Sequence, residues 1–282
     1  MNNGVVRAKH GNAAPAGPGH FPFVNYHRRG ALDHLTATEF RVQLGIGYGS
    51  SLIAAKRGDV IVAIDVLRCS STIVTALANG AKAVIPVKSV REARSLSRRR
   101  SAILAGERNG LRPAGFELGN SPLEYRQEKV QGRVIVLTTT SGTMAIVLGR
   151  KAREVLVGSF LNLSATANHA GKTARSSRCG ISLVTAGTRG RFSLEDFLCA
   201  GALSRSLAKE GASLDDGCIS AARAYGDSRS DLHSAMREGV HAKYLESIGL
   251  GGDVGYCAQT DIYDIAAVYR AGRIVIVKPS DS

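Results

Sequence analysis

The chain has 282 residues, a hydrophobic content of 44% and a formal net charge of +14. This length suits one large α/β domain or two small lobes, and no apolar run approaches the roughly 18 residues of a membrane-spanning helix. The five cysteines form no CxxC motif, and the first residues lack the apolar core of a signal peptide, so we expect a cytoplasmic protein without membrane contact.

The positive charge predicts an anionic partner. Aromatic residues make up only 5% of the chain, whereas nucleic-acid-binding stretches usually interleave aromatic with basic residues. We therefore expect a small acidic ligand rather than nucleic acid. Residues 1–37 are rich in Gly and Pro and lack periodicity, which predicts a disordered extension before a folded domain at residues 38–282.

The most informative stretch is a predicted strand and the polar loop that follows it. Val60–Ile64 is a continuous aliphatic run, typical of a buried strand. An acid, a base and three hydroxyl residues come next: Asp65, Arg68, Ser70, Ser71 and Thr72. The hydroxyl residues have N-cap chemistry for a helix that reaches about Asn79, and ligands of α/β sheets bind where strands end and helices begin. The alternative is that Asp65 and Arg68 only pair with each other.

The other predicted elements complete an α/β pattern. Further strands are expected at Arg41–Ile46, Ala83–Val87, Ala102–Ala105, Val134–Val136, Val155–Val157, Gly255–Gln259 and Ile274–Val277. Further helices are expected after Ser89, which begins a capping box, and at Leu194–Lys209, Cys218–Ala224 and Asp231–Ile248. The order predicts a layered α/β/α fold with a mixed sheet.

The second part of the chain echoes the first. Gly58–Val62 resembles Gly132–Val136, and Ala105–Arg108 resembles Ala186–Arg189, in the same order. Preserved order predicts an internal duplication, with related halves at about residues 58–110 and 132–191. Corresponding loops of two such halves would face a single cleft.

The loops of these halves carry the chemistry of a polyanion site. Asp65 and Glu107 are hard oxygen ligands suited to Mg²⁺, and Arg68 and Arg108 are planar donors that match phosphate oxygens. We assign these four residues to catalysis. The candidate substrate-binding residues are Ser70, Ser71, Thr72, Asn109, Asn120, Ser121, Thr139, Thr140, Gly142, Thr143, Thr188, Arg189, Gly190 and Arg191. A metal ion, several arginines and helix starts are the equipment for transferring a phosphoryl group to water.

Signatures of other mechanisms are absent from the sequence. It contains no GxxxxGK[ST] motif and no GxGxxG after a strand, which excludes the common NTPase and dinucleotide-binding sites. Cys69 precedes a helix, but Thr75 stands where a phosphate-binding cysteine loop would need an arginine. Attack by a metal-bound water is therefore preferred, with Asp65 as the alternative nucleophile.

Five stretches resemble the 2-phosphosulfolactate phosphatase family: Asp65–Thr72, Ala105–Gly110, Phe116–Tyr125, Thr138–Thr143 and Ala186–Phe197. The resemblance implies a Mg²⁺-dependent phosphatase that converts 2-phospho-3-sulfolactate to 3-sulfolactate and phosphate, as in coenzyme M biosynthesis. The chain departs from the family pattern at four places: Cys69 stands for Ala, Ser141 for Asn, Gly239-Val240-His241-Ala242 for Ser-x-His-Gly and Ala266 for Pro.

Two other functions fit the same residues. One is a phosphatase of another small 2-hydroxy-acid phosphate or of a phosphosugar. The other is a protein that binds small anions without catalysis. In each case the expected partner is a small phosphorylated anion, and a homo-oligomer is compatible with the sequence.

Overall fold

A computed structural model describes residues 40–277 of the chain. The predicted extension at residues 1–37 lies outside this range, as does the final segment after residue 277. Within the described range no helix is both long enough and apolar enough to cross a membrane.

The described residues form a mixed sheet with helices on both faces, which confirms the predicted α/β/α class. The strands are β1 (Arg41–Ile46), β2 (Val60–Ile64), β3 (Ala83–Pro86), β4 (Ile103–Gly106), β5 (Val134–Thr138), β6 (Glu154–Gly158), β7 (Ile181–Thr185), β8 (Ser213–Leu214), β9 (Ala266–Arg270) and β10 (Arg273–Val277). The helices are α1 (Ser50–Arg57), α2 (Cys69–Ala78), α3 (Val90–Arg100), α4 (Gln127–Val130), α5 (Gly142–Leu148), α6 (Leu163–Ser177), α7 (Leu194–Lys209), α8 (Asp216–Ser228), α9 (Leu232–Arg237), α10 (Val240–Ser247) and α11 (Gly251–Cys257).

The sheet consists of two parallel groups joined by an antiparallel hairpin. Its strand order is β4-β5-β3-β10-β9-β6-β2-β7-β1-β8. β4, β5 and β3 pair in parallel, as do β6, β2, β7, β1 and β8, while β9 and β10 pair antiparallel to each other and to their outer neighbours. The strands of the two predicted halves are therefore interleaved, since β5 lies between β3 and β4 and β2 lies between β6 and β7. The duplication itself stays a prediction.

β2 lies inside the second group and is buried on both faces, as its continuous aliphatic run predicts. Val60, Val62 and Ile64 pack into a core shared with α6, α7 and α8. Ile61 and Ala63 point to the other face, into a core shared with α1, α2 and α5. Each fully buried aliphatic side chain contributes roughly 1.5–3 kcal/mol, so the end of β2 is a firmly held platform for the residues that follow.

Other predictions made from sequence also hold. β1, β10 and α7 lie where expected, and Cys199 is buried in α7. Ser89 caps α3 by accepting a hydrogen bond from the Glu92 backbone N–H. The return bond of the capping box differs, because the Glu92 carboxylate accepts from the Lys88 N–H instead of the Ser89 N–H.

Two predictions for the C-terminal region are wrong. Residues 251–257 form helix α11 rather than a strand, because Val254 and Cys257 pack one face of that turn into the core. The antiparallel partner of β10 is instead β9. The single helix expected over Asp231–Ile248 is interrupted between α9 and α10 at Gly239, whose extended ψ of 145° ends the helical path.

The start of α2 also differs from its prediction. The helix begins at Cys69, with Arg68 at the N-cap position and no side-chain cap. Ser70, Ser71 and Thr72 are therefore buried within the first turn instead of capping it. Helices α1 and α6 were not predicted.

Candidate active site

A cavity of about 1170 Å³ opens where the predicted loops meet. Ten of the predicted site residues line it: Asp65, Arg68, Glu107, Asn109, Asn120, Thr139, Thr140, Thr188, Arg189 and Arg191. Eight others lie outside its lining: Ser70, Ser71, Thr72, Arg108, Ser121, Gly142, Thr143 and Gly190. Loops from both predicted halves thus face one cleft, which is the arrangement expected from the sequence.

Asp65 follows β2 and is fixed by the start of α2. Its Oδ1 accepts a hydrogen bond of 3.0 Å from the Cys69 N–H, and its own N–H donates to Ser70 Oγ at 2.7 Å. Burial is the main cause that raises the pKa of Asp65 to about 8, and the neighbouring charge of Asp196 adds to the rise. The carboxylate is thus held in a place where its negative charge lacks a sufficient counter-charge.

Gly142 lies outside the cavity lining but determines how closely α5 approaches Asp65. A Cβ at this position would lie 2.6 Å from Asp65 Oδ2 and 2.5 Å from Cys69 Cβ. Real Cβ atoms do not tolerate such distances, so only glycine allows this packing.

Glu107 follows β4 and joins its loop to the loop after β5. Its Oε1 accepts hydrogen bonds from the Thr140 N–H at 2.7 Å and from Thr140 Oγ1 at 2.8 Å. Its Oε2 accepts from the Gly110 N–H at 2.9 Å. The carboxylate is buried and oriented by these donors, while it still forms part of the cavity wall.

Arg68 pairs with Asp253 rather than with Asp65. Its Nη1 lies 2.7 Å from Asp253 Oδ2, and both side chains are 2% exposed. Arg68 also donates to the Gly110 carbonyl oxygen, and Ser121 Oγ donates to Asp253 Oδ1. Asp253 was not among the predicted site residues; it lies in α11, just before the stretch Gly255–Gln259 that was expected to form a strand. The guanidinium beside the carboxylates Asp65 and Glu107 is therefore already neutralised.

Two further acids, Glu195 and Asp196, line the cavity from the first turn of α7 and were also missed. Asp196 accepts backbone hydrogen bonds from Val66 at 2.8 Å and from Gly187 at 2.9 Å, so it ties the loop after β2 to the loop after β7. Burial, and next the charge of Glu195, raise the pKa of Asp196 to about 7. Acidic residues in a first helical turn usually only complement the helix dipole, so the sequence carried no distinct signal for them.

The loops after β4 and β7 contain the same kind of tight turn. Asn109 and Gly110 have φ angles of 52° and 74°, and Arg189 and Gly190 have φ angles of 54° and 77°. Two consecutive positive φ values are typical of a type I′ turn. The predicted echo aligns Arg108 with Arg189. In this alignment the two turns differ in position by one residue, because Arg108 precedes the first turn whereas Arg189 lies within the second.

The arginines of these loops have different environments. The Arg108 side chain donates to the Glu107 carbonyl oxygen at 2.6 Å and to Thr138 Oγ1 at 2.9 Å, which directs it to strand ends instead of the cavity. Arg189 bridges the two turns, since its Nη2 donates to Asn109 Oδ1 at 3.0 Å. Ser141, one of the departures from the family pattern, accepts from the Arg189 N–H at 3.1 Å.

Most of the predicted hydroxyls outside the lining brace the loops. Ser71 Oγ donates to the Val66 carbonyl oxygen, and Thr72 Oγ1 donates to that of Asn120. Thr143 Oγ1 donates to the Thr139 carbonyl oxygen. These three hydroxyl groups donate to backbone carbonyl oxygens, so they support the loops around the cavity without facing it.

Cys69 is 1% exposed, and its pKa lies well above the ordinary value because of burial and the nearby charge of Asp65. The reactive form of cysteine is the thiolate. Cys69 is therefore a neutral thiol at physiological pH, in agreement with the argument from Thr75 against a cysteine nucleophile.

The oxygen ligands of the cavity suit a hard divalent cation in an open site, which water and substrate complete, better than a site made of protein ligands alone. Within residues 40–277 no group of three or more His, Cys, Asp or Glu residues is arranged to hold a metal ion. Mg²⁺ usually binds one or two carboxylates and completes its shell with water and substrate phosphate. Asp65 and Glu107 supply two such carboxylates, and both line the open cavity. These residues fit Mg²⁺.

Comparison with known proteins assigns a family to this chain. The model of the 2-phosphosulpholactate phosphatase family matches residues 50–272. A probable 2-phosphosulfolactate phosphatase of Thermotoga petrophila is 48% identical over 215 residues, which are 76% of this chain and 91% of the relative. Relatives with the same description from Thermotoga maritima and Caldanaerobacter subterraneus are 46% and 42% identical, over 76% of this chain and 91% and 89% of their own lengths. These matches confirm the resemblance of the five stretches: the chain belongs to the 2-phosphosulfolactate phosphatase family and is a phosphoric monoester hydrolase.

Proposed function

We propose that this protein is a Mg²⁺-dependent phosphatase that hydrolyses 2-phospho-3-sulfolactate to 3-sulfolactate and phosphate, the reaction type of coenzyme M biosynthesis. The observation that carries the proposal is the charge balance of the cavity. Asp65 and Glu107 both line it, and the charge of Arg68, which lines it as well, is neutralised by Asp253. A divalent cation supplies the positive charge that this arrangement lacks.

Asp65 and Glu107 would hold the ion, directly or through water. When bound, Mg²⁺ neutralises negative charge on the phosphoryl group that is transferred. The hydrogen bonds to Glu107 from Thr140 and Gly110 keep that carboxylate in a fixed orientation. The loops around Asp65 and Glu107 are hydrogen-bonded to one another in pairs. They therefore have little freedom to reorganise, which favours transition-state stabilisation.

Arg68 orients the phosphoryl group from the same wall of the cavity. Its Nη1 and Nη2 each donate one hydrogen bond to protein, and a guanidinium has five N–H donors, so donors remain for phosphate oxygens. Water is the preferred nucleophile because Cys69 is a buried neutral thiol. Direct attack by Asp65 stays the alternative.

The test measures phosphate release in the presence and absence of Mg²⁺ by the wild type, Asp65→Asn and Glu107→Gln. Each substitution removes a negative charge and keeps nearly the same shape, so each should abolish Mg²⁺-dependent turnover in a folded protein. Glu128→Gln is the matched control, since Glu128 is an exposed carboxylate of α4 outside the cavity. Full activity with unchanged Mg²⁺ dependence in both cavity variants would contradict the metal assignment.

We assign binding of the second anionic group of the substrate to the arginines of the loop after β7. Arg189 and Arg191 lie in the loop after β7, both line the cavity, and Arg191 is exposed. We expect Arg191→Ala to raise KM for 2-phospho-3-sulfolactate by ~10–100-fold, as the loss of a charge-assisted hydrogen bond does. The increase should be smaller for a phosphate monoester without a sulfonate or carboxylate. Equal increases for both substrates would assign Arg191 to the phosphate or to the fold.

The cavity is also large enough for the alternative substrates. At about 1170 Å³ it exceeds the roughly 300–1,000 Å³ typical of small-molecule sites, so a phosphosugar or a larger 2-hydroxy-acid phosphate also fits. A panel of such esters separates these activities from the proposed one. Phosphate binding without turnover of any ester would indicate an anion-binding protein instead.

A further inference from the structure

Glu195 is a buried acid with one carboxyl oxygen that has no hydrogen-bond partner in the described part of the chain. It lies in the first turn of α7, its side chain lines the cavity, and the residue is 2% exposed. Among residues 40–277 its Oε2 has no hydrogen-bond partner. Buried polar atoms are nearly always paired, so an unpaired oxygen on a side chain that lines a cavity points to a partner that arrives with a ligand.

The adjacent acid provides an internal contrast. Asp196 shares the same turn and the same cavity, but both of its oxygens accept backbone hydrogen bonds, from Val66 and Gly187. Asp196 therefore acts as a brace between two loops. Glu195 makes no such bridge, although it is equally buried.

Gly239 packs against the unpaired oxygen of Glu195. Gly239 lies in the break between α9 and α10, and a Cβ at that position would come within 3.3 Å of Glu195 Oε2. Because residue 239 has no side chain, this close approach adds no side-chain hydrogen-bond partner for the carboxyl group.

The protonation of Glu195 agrees with this geometry. Burial is the main cause that raises its pKa to about 7, and the negative charge of Asp65 contributes as well. A carboxyl group that retains its proton near neutral pH is a hydrogen-bond donor. The residues that the structure describes supply no partner for Oε2, which leaves an oxygen of the molecule in the cavity as the acceptor.

We propose that Glu195 is the general acid that protonates the leaving oxygen of the substrate. The proposal rests on the proposed phosphatase function. As a water oxygen bonds to phosphorus, the bond between phosphorus and the ester oxygen breaks and its electron pair stays on that oxygen. The Glu195 proton passes to the same oxygen, which gives the free alcohol, and the water proton leaves with phosphate or solvent. Solvent then returns a proton to Glu195.

The leaving group of 2-phospho-3-sulfolactate is a secondary alkoxide, which is too basic to leave readily without a proton. A phenolate such as p-nitrophenolate leaves without one. General acid catalysis contributes ~100–10,000-fold. The contribution of Glu195 should therefore depend on the leaving group, whereas a purely structural contribution should not.

The experiment compares Glu195→Gln with the wild type on 2-phospho-3-sulfolactate and on p-nitrophenyl phosphate, with Mg²⁺ present. Glutamine keeps the shape and lacks the acidic proton. We expect kcat to fall by at least ~100-fold on the alkyl ester and by less than ~10-fold on the aryl ester. Asp196→Asn is the matched control, and it should lower both rates by similar factors because it weakens a brace. Equal losses on the two esters in Glu195→Gln would overturn the proposal.

A measurement on the wild type covers the case in which the variant does not fold. In a series of phosphate esters, a general acid makes the wild-type rate nearly independent of the pKa of the leaving alcohol or phenol. A steep decrease of rate with increasing leaving-group pKa would also overturn the role of Glu195. A wild type that releases phosphate from no ester in the series would instead refute the proposed function itself.

Discussion

The buried ion pair between Arg68 and Asp253 is the contact most open to a quantitative test. The two charged groups are joined by a contact of 2.7 Å, and each side chain is 2% exposed. For charges about 4 Å apart at an effective dielectric constant of about 20, the interaction is ~4 kcal/mol. Removal of one partner from a buried pair usually costs about 3–5 kcal/mol, because the other charge is left without compensation. We expect Asp253→Asn to lower the free energy of unfolding by about 3 kcal/mol.

The assay is urea unfolding at neutral pH. The slope of the unfolding free energy against urea concentration should be the same in variant and wild type, which checks that both unfold in the same transition. Glu210→Gln is the comparison variant, since Glu210 pairs with Arg175 at 2.8 Å but the two side chains are 23% and 33% exposed. A partly exposed pair of this kind contributes about 1 kcal/mol or less. If Asp253→Asn costs no more than Glu210→Gln, the reasoning from burial is refuted.

Three further predictions concern the walls of the cavity. Gly142→Ala should lower both stability and turnover, because its Cβ would lie 2.6 Å from Asp65 Oδ2, whereas Gly255→Ala in α11 has room and should be neutral in urea unfolding and phosphate release. Cys69→Ala should retain most activity, and a loss of several orders of magnitude with Mg²⁺ binding intact would restore a cysteine nucleophile. The pKa of Glu195 in the folded protein, about 7, is above its ordinary value of 4.5, so this residue makes the wild type less stable as pH rises between these values. Glu195→Gln should flatten the dependence of unfolding free energy on pH in that range, and an unchanged dependence would contradict the raised pKa.

The sequence predicted best where burial leaves a direct pattern in it. The run Val60–Ile64 is aliphatic at every position because both of its faces are covered, and the strand has these bounds in the structure. Helix α7 also begins and ends as predicted. Polar residues that directly follow buried strands, such as Asp65 and Glu107, could be placed at the cleft because the ends of parallel strands gather ligand-binding loops.

The partners of those polar residues could not be predicted because they come from distant parts of the chain. Asp253 lies 185 residues from Arg68. The glycines around Asp253 disfavour a helix by local propensity, yet α11 forms because Val254 and Cys257 are covered by the core. Tertiary packing decided this element, and with it the position of the acid that neutralises Arg68.

Residue type alone also could not separate groups that face the cavity from groups that brace it. Thr140 and Thr72 both lie shortly after a strand in sequence, but only Thr140 lines the cavity, while Thr72, in the first turn of α2, donates to the Asn120 carbonyl oxygen. The same holds for the adjacent acids Glu195 and Asp196. Their difference lies in which backbone N–H groups are near, and one sequence does not reveal this.

The interleaved strand order has a consequence for how the chain reaches its folded state. β2 is flanked by β6 and β7, so Val60 pairs with Glu154 and Ile181, and β3 pairs with β10 through Val84 and Ile274. Contacts so far apart in sequence make folding slow, because loop-closure entropy is lost before the contacts form. A nascent chain that ends before β6 contains β2 but none of the strands beside it, and its apolar edges stay open to aggregation. Synthesis of nearly the whole chain must therefore precede completion of the sheet.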